Sequence, residues 1–102
     1  MIDKHRAMAL LGGSETLATK LIAAFESEIP EHIEQLRKYN ADKDWKLLSN
    51  RAHMIKTQAS YLGLDDLMEV CKELEYATRE EVQLDKVGSM VSSITSILKS
   101  LG

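Results

Sequence analysis

A chain of 102 residues is one domain's worth, enough for a single modest hydrophobic core. Hydrophobic residues at 44% and charged residues at 28% fit a folded chain and exclude one too polar to collapse. A net charge of −3 with no basic tract argues against nucleic-acid binding, and apolar runs no longer than Leu21–Phe25 argue against a membrane span.

The charged start around Asp3-Lys4-His5-Arg6 leads into no cleavage site, so no signal peptide is expected. The single cysteine, Cys71, cannot form an internal disulfide, which points to a reducing cytoplasm. It falls in an apolar helical stripe and reads as a plain buried Cys. His5, His32 and His53 lie far apart, and no Cys/His pair has ligand spacing, so no metal site is expected.

Taken in order, the elements are all helical, and no alternating strand pattern or hairpin dipeptide appears. A short helix over about residues 3 to 11 stops at Gly12-Gly13. Ser14 is the N-cap of the next, with Glu15 in its first turn. Leu17, Leu21, Ile22, Phe25, Ile29, Ile33 and Leu36 carry its stripe to about Asn40, across Pro30. The surviving period predicts one bent helix, kinked near Glu26 to Pro30. His32, among Glu28, Glu31 and Glu34, reads as a surface residue.

Asp42 or Asp44 caps a third helix that ends near Gly63. Asp65 and Asp66 open a fourth, bearing Leu67, Val70, Cys71, Leu74 and Ala77, and Thr78-Arg79-Glu80-Glu81 makes the next break. Leu84, Val87, Val91, Ile94, Leu98 and Leu101 define the last helix, weakened locally by Gly88 at about 1 kcal/mol against Ala. The expected architecture is all-α: an up-and-down four-helix bundle with a short extra N-terminal helix laid across one end.

The third helix carries the chemistry. At about 100° per residue, Lys46, Ser49, Asn50, His53, Lys56, Thr57 and Ser60 share one arc. Leu48, Ala52, Ile55, Ala59 and Leu62 form the opposite, buried face. His53 therefore faces water with a cation one turn away, an arrangement suited to carrying a phosphoryl group. Leu47, Met54 and Tyr61, seven residues apart, flank the arc. A bundle helix buries a wide face, which would make them core; left exposed, Met54 and Tyr61 would form an apolar docking rim. Trp45 reads as packing.

Ala52, His53, Lys56, Thr57 and Gly63 resemble the pattern of the histidine-containing phosphotransfer (HPt) domain of bacterial and fungal phosphorelays. That pattern is Ala-His, two residues, Lys, usually Gly, five residues, then Gly. Gly12-Gly13, Phe25, Glu28, Asp44-Trp45, Cys71 and Leu74-Glu75 match in order, so the resemblance spans about Asp3 to Leu101 and residues 1–102 read as one such domain.

The resemblance implies that His53 accepts a phosphoryl group from a receiver-domain aspartate, through Nε2, and passes it to another receiver. Lys56 would offset phosphate charge, unless it is only a solvated surface Lys. Glu75 would take Nδ1–H and set the tautomer, unless it is an ordinary exposed or helix-pairing Glu. Ser49, Asn50, Met54, Thr57, Ser60 and Tyr61 would form the receiver docking surface. Thr57 stands where the family usually has Gly; it could narrow partner choice, slow transfer, or offer its hydroxyl to the phosphate.

The implied protein is a free-standing, cytoplasmic, monomeric carrier working between a hybrid sensor kinase and response-regulator receiver domains. Its Mg²⁺ would sit on the partner receiver, since no acidic cluster here suits it. No Gly-rich nucleotide loop is present, so no kinase activity is expected. The competing reading is a non-phosphorylatable helical bundle that sequesters a signalling partner.

Overall fold

The computed structural model describes residues 2–102 and consists of α1 (Lys4–Leu10), α2 (Glu15–Ala41), α3 (Trp45–Leu62), α4 (Asp65–Glu80) and α5 (Val87–Leu101), with a 3-10 turn over Leu84–Lys86 before α5. Side-chain caps set three of the starts. Asp3, Ser14 and Asp44 each accept from the backbone N–H three residues on, that of Arg6, Leu17 and Leu47, at 3.1 Å. Each such bond satisfies a donor that the first turn leaves free. Left-handed glycines set two of the ends. Gly12 and Gly13 follow α1 at φ 74° and 85°, and Gly63 ends α3 at φ 70°.

α2 runs unbroken through Pro30. The proline is exposed, while Ile29, His32 and Leu36 around it are buried, so inward anchors hold the helix on both sides of the missing donor. At 1.5 Å per residue its 27 residues span about 40 Å, which matches the 40 Å long dimension of the molecule. α1, α3 and α5 are laid against α2, and α4 closes the bundle against α3 and α5.

The helices of the bundle, α2 to α5, each send one stripe inward. Phe25 and Leu36 meet Leu48 and Ile55, Leu67 and Leu74, and Ile94 and Leu98 in one core, all at most 2% exposed. Burying a side chain of this size is worth about 1.5–3 kcal/mol, which is why the apolar period, rather than propensity, decides the fold. α3 packs most extensively on α4 and next on α2, so its remaining face is the one left for function. α1 lies against α2 and α3.

Two boundaries differ from the sequence reading. α4 does not break at Thr78 but continues to Glu80. Thr78 is buried and its hydroxyl donates to the Leu74 carbonyl at 2.7 Å, so it sits comfortably inside a helix. The chain turns instead at Glu81 and Gln83, both at positive φ. The last segment begins as a 3-10 turn, which leaves Gly88 in the first turn of α5, where a weak helix former costs least.

Gly63 joins α1 to the α3–α4 turn. A Cβ there would lie 2.6 Å from Arg6 Nε, and the Arg6 guanidinium donates to Asp65 at 2.8 Å. Gly63→Ala should therefore strain the left-handed turn and dislodge Arg6, costing about 1–2 kcal/mol. Urea denaturation checks the size, and faster amide exchange in α1 than in α5 checks the location.

Candidate functional site

His53 projects from the middle of α3, 60% exposed, toward α4. Four residues before it, Ser49 faces the same helix. Ser49 is buried, with its hydroxyl donating to the Glu75 carbonyl at 3.4 Å, so it is not the surface residue that the arc suggested. The arc is tilted toward α4, and Ser49 is spent on the helix interface.

Glu75 is where the two helices meet chemically. Its side chain is only 11% exposed. Oε2 accepts from His53 Nδ1 at 2.7 Å, and Oε1 accepts from Lys56 Nζ at 2.6 Å. Burial alone would push this carboxyl up, but the Lys56 and His53 hydrogen bonds and charges outweigh it and hold it below its ordinary range. Glu75 thus lies against the imidazole ring and the Lys56 ammonium at once.

A carboxylate can only accept, so Nδ1 carries the proton, and neutral His53 keeps its Nε2 lone pair directed outward. The polar partners thus choose the tautomer as well as the ring orientation. Lys56 is not a free surface cation: it is tied to the same carboxylate as the imidazole, one helical turn along.

Arg79 is a member that the sequence reading did not single out. Its guanidinium lies 3.9 Å from Glu75 Oε2, and it lines a depression of about 600 Å³ beside His53 with Trp45, Lys46, Asn50 and Met54. The signal for it was the four-residue spacing from Glu75 on one helix face. Trp45 is half-buried against the core, as a packing residue should be, while its edge reaches this depression.

The rest of the arc divides by polarity. Asn50 and Ser60 are exposed and Thr57 is half-buried. The Thr57 hydroxyl donates to the His53 carbonyl at 3.0 Å, and the Ser60 hydroxyl donates to the Thr57 carbonyl at 2.6 Å. Both are folded back on their own helix. Leu47, Met54 and Tyr61 are 41%, 45% and 54% exposed, so the wide-face core reading fails and an apolar edge lies open next to His53. α4 and α2 cover the two long flanks of α3 and α1 packs on it as well, and this stripe is left outside those contacts.

His32 also differs from expectation. It is 1% exposed, between α2 and α3, with Gln58 and Arg51 on its two ring nitrogens. The surrounding glutamates suggested a solvated face, but two cross-helix partners allow the ring to be buried. Cys71 is buried as expected, with burial the main cause of a thiol pKa pushed up to about 12.

The lowered Glu75 carboxyl fixes a pH dependence. Its contribution to stability is complete above its ordinary value of 4.5 and is lost as pH falls through the depressed folded value. Denaturation midpoints taken from pH 7 down to 3 should show Glu75→Gln losing less stability on acidification than the wild type. Parallel losses would mean that the carboxylate is not held by these bonds.

The chain is similar to several known proteins. The family model described as Hpt domain matches residues 20–101. Phosphotransferase RcsD of Escherichia coli is 30% identical over 94 residues, covering 89% of this chain and 10% of that protein. The phosphorelay intermediate protein YPD1 of Candida albicans is 30% identical over 61 residues, covering 60% of this chain and 33% of that protein. The chain thus spans a third or less of the length of these relatives. The crystal structure of the HPT domain from a Shewanella sensor hybrid histidine kinase superposes with a TM-score of 0.89 at 14% identity, covering 98% of this chain and 86% of that one, a likeness of fold. With most of its helices inside the matched region, the chain belongs to the Hpt domain family.

Proposed function

We propose that this chain is a phosphorelay carrier that accepts a phosphoryl group on His53 from a receiver-domain aspartate and passes it to another receiver. The observation that carries the reading is the His53–Glu75 bond of 2.7 Å, which leaves Nε2 as an outward lone pair on an exposed imidazole. Membership of the Hpt domain family supports it, as do the names of RcsD, a phosphotransferase, and YPD1, a phosphorelay intermediate.

In the transfer, Nε2 gives its lone pair to phosphorus, and the P–O bond to the receiver aspartate breaks, returning a carboxylate. The ring becomes positively charged because Nδ1 keeps its proton. Glu75 lies across that proton and stabilises the charge as it forms. Lys56 offsets the phosphoryl oxygens, and Mg²⁺ belongs to the receiver. The reverse steps hand the group on. Nothing in this cycle requires a nucleotide, so the chain serves as acceptor and donor rather than as a kinase.

Met54, Tyr61, Thr57, Ser60 and Asn50 form the surface that a receiver meets, with Ser49 supporting it from beneath. Thr57 acts there by its bulk, since its hydroxyl is engaged by the His53 carbonyl. The carrier works as a monomer in the cytoplasm, between a hybrid sensor kinase and response-regulator receivers.

Labelled phosphoryl transfer from a phosphorylated receiver tests this. His53→Gln should abolish labelling, and Lys56→Ala should slow it about tenfold, roughly 1.4 kcal/mol of barrier. Label persisting on His53→Gln would sink the assignment. Across a panel of receivers, Thr57→Gly should speed transfer while Thr57→Val behaves like the wild type. Loss of transfer in Thr57→Val would show that the hydroxyl itself takes part.

A further inference from the structure

Both nitrogens of the buried His32 ring are occupied, and the occupants determine where its proton sits. The Gln58 amide nitrogen donates to Glu28 Oε2 at 2.6 Å, which turns Gln58 Oε1 toward His32 Nε2 at 2.9 Å. That oxygen only accepts, so Nε2 carries the hydrogen. On the other side, Arg51 Nη1 lies 3.2 Å from Nδ1. A guanidinium only donates, so Nδ1 must present a lone pair. His32 is therefore a neutral Nε2–H imidazole, the opposite tautomer to His53.

Arg51 links this buried ring to the surface. The same Nη1 lies 3.7 Å from Met54 Sδ, and Met54 is the exposed neighbour of His53. We propose that neutral His32 is a positioning residue for the docking face: its Nδ1 lone pair holds Arg51 against Met54, and protonation of the ring releases both.

The physical reason is a reversal of roles at Nδ1. Once that nitrogen takes a proton it becomes a donor, facing a guanidinium that has no acceptor to offer. Two positive groups would then stand 3.2 Å apart in a water-poor interface. The charged groups facing the ring are Arg51 from α3 and, on its own helix, Glu28 and Glu31. Glu28 Oε2 is 3.6 Å from Nε2 and can compensate the new charge on that side only. Arg51 is half-buried and carries a long flexible stem, so it is the member that moves.

Burial dominates a net lowering of the His32 pKa, with the Arg51 charge adding to it against the Gln58 bond and the two glutamates. Neutral His32 thus contributes stability that is complete above its ordinary value of 6.5 and is lost as pH falls toward the lower folded value.

The link to docking rests on the carrier reading, whereas the ring chemistry does not. Imidazole ¹⁵N spectra of the whole chain should show His32 with an unprotonated Nδ1 and a protonated Nε2 at pH 7.5. On acidification, the Met54 methyl resonance should move with the His32 titration. Arg51→Met should remove that movement, as should His32→Gln, whose amide can still donate to Gln58 and accept from Arg51.

A protonated Nδ1 at pH 7.5, or a Met54 methyl indifferent to His32, would overturn the inference. In transfer assays, KM for a phosphorylated receiver should rise about threefold more between pH 7.5 and 5.5 in the wild type than in His32→Gln, which still contains His53. Equal rises would overturn the link to docking. A receiver that labels neither protein at any pH would defeat the carrier reading alone, because the spectra decide the ring chemistry separately.

Discussion

The carboxylate of Glu75 is the constraint around which this molecule is arranged. A buried negative charge is costly unless it is paired and hydrogen-bonded, and here both oxygens are engaged by α3, one by His53 and one by Lys56. That arrangement requires α3 and α4 to lie side by side in one register, which the Leu48, Ile55, Leu67 and Leu74 packing supplies. The apolar core positions the helices, and Glu75 turns that placement into an oriented imidazole.

Two histidines in one short bundle illustrate how environment sets chemistry. His53 meets an acceptor at Nδ1 and keeps its lone pair at Nε2, outside. His32 meets a donor at Nδ1 and an acceptor at Nε2, and both are inside. One ring can therefore present a nucleophilic nitrogen to a visiting molecule. The other has no free nitrogen and can only hold its neighbours in place. The residue type is the same, and the difference is entirely in what the flanking helices aim at the ring.

The outer face of α3 reverses the usual sorting of polar and apolar groups. Its hydroxyls, on Thr57 and Ser60, are turned back onto the helix carbonyls, while Met54 and Tyr61 stand in solvent. Large side chains left exposed at regular spacing beside an outward imidazole would suit the docking proposed above: apolar area at the edge, and hydroxyls already satisfied within the helix.

By itself, the sequence determined the helix count, the bundle, the cap at Ser14, a cap at Asp42 or Asp44 and a stop near Gly63, and it singled out His53 as the candidate carrier. These rest on local signals: a 3.6-residue apolar period, a cap side chain within three residues, and a glycine where φ must be positive. The HPt resemblance added Glu75 as one of two readings. Only the tertiary structure decided that Glu75 reaches His53, that Ser49 is buried, that Leu47, Met54 and Tyr61 are not, and that His32 lies inside between Arg51 and Gln58. Each of those depends on which face of one helix meets which face of another. Periodicity gives a helix its apolar side, but not its azimuth against particular neighbours. The exposed stripe and the buried imidazole both fall at the margins of that side, where a rotation of a few tens of degrees exchanges core for surface.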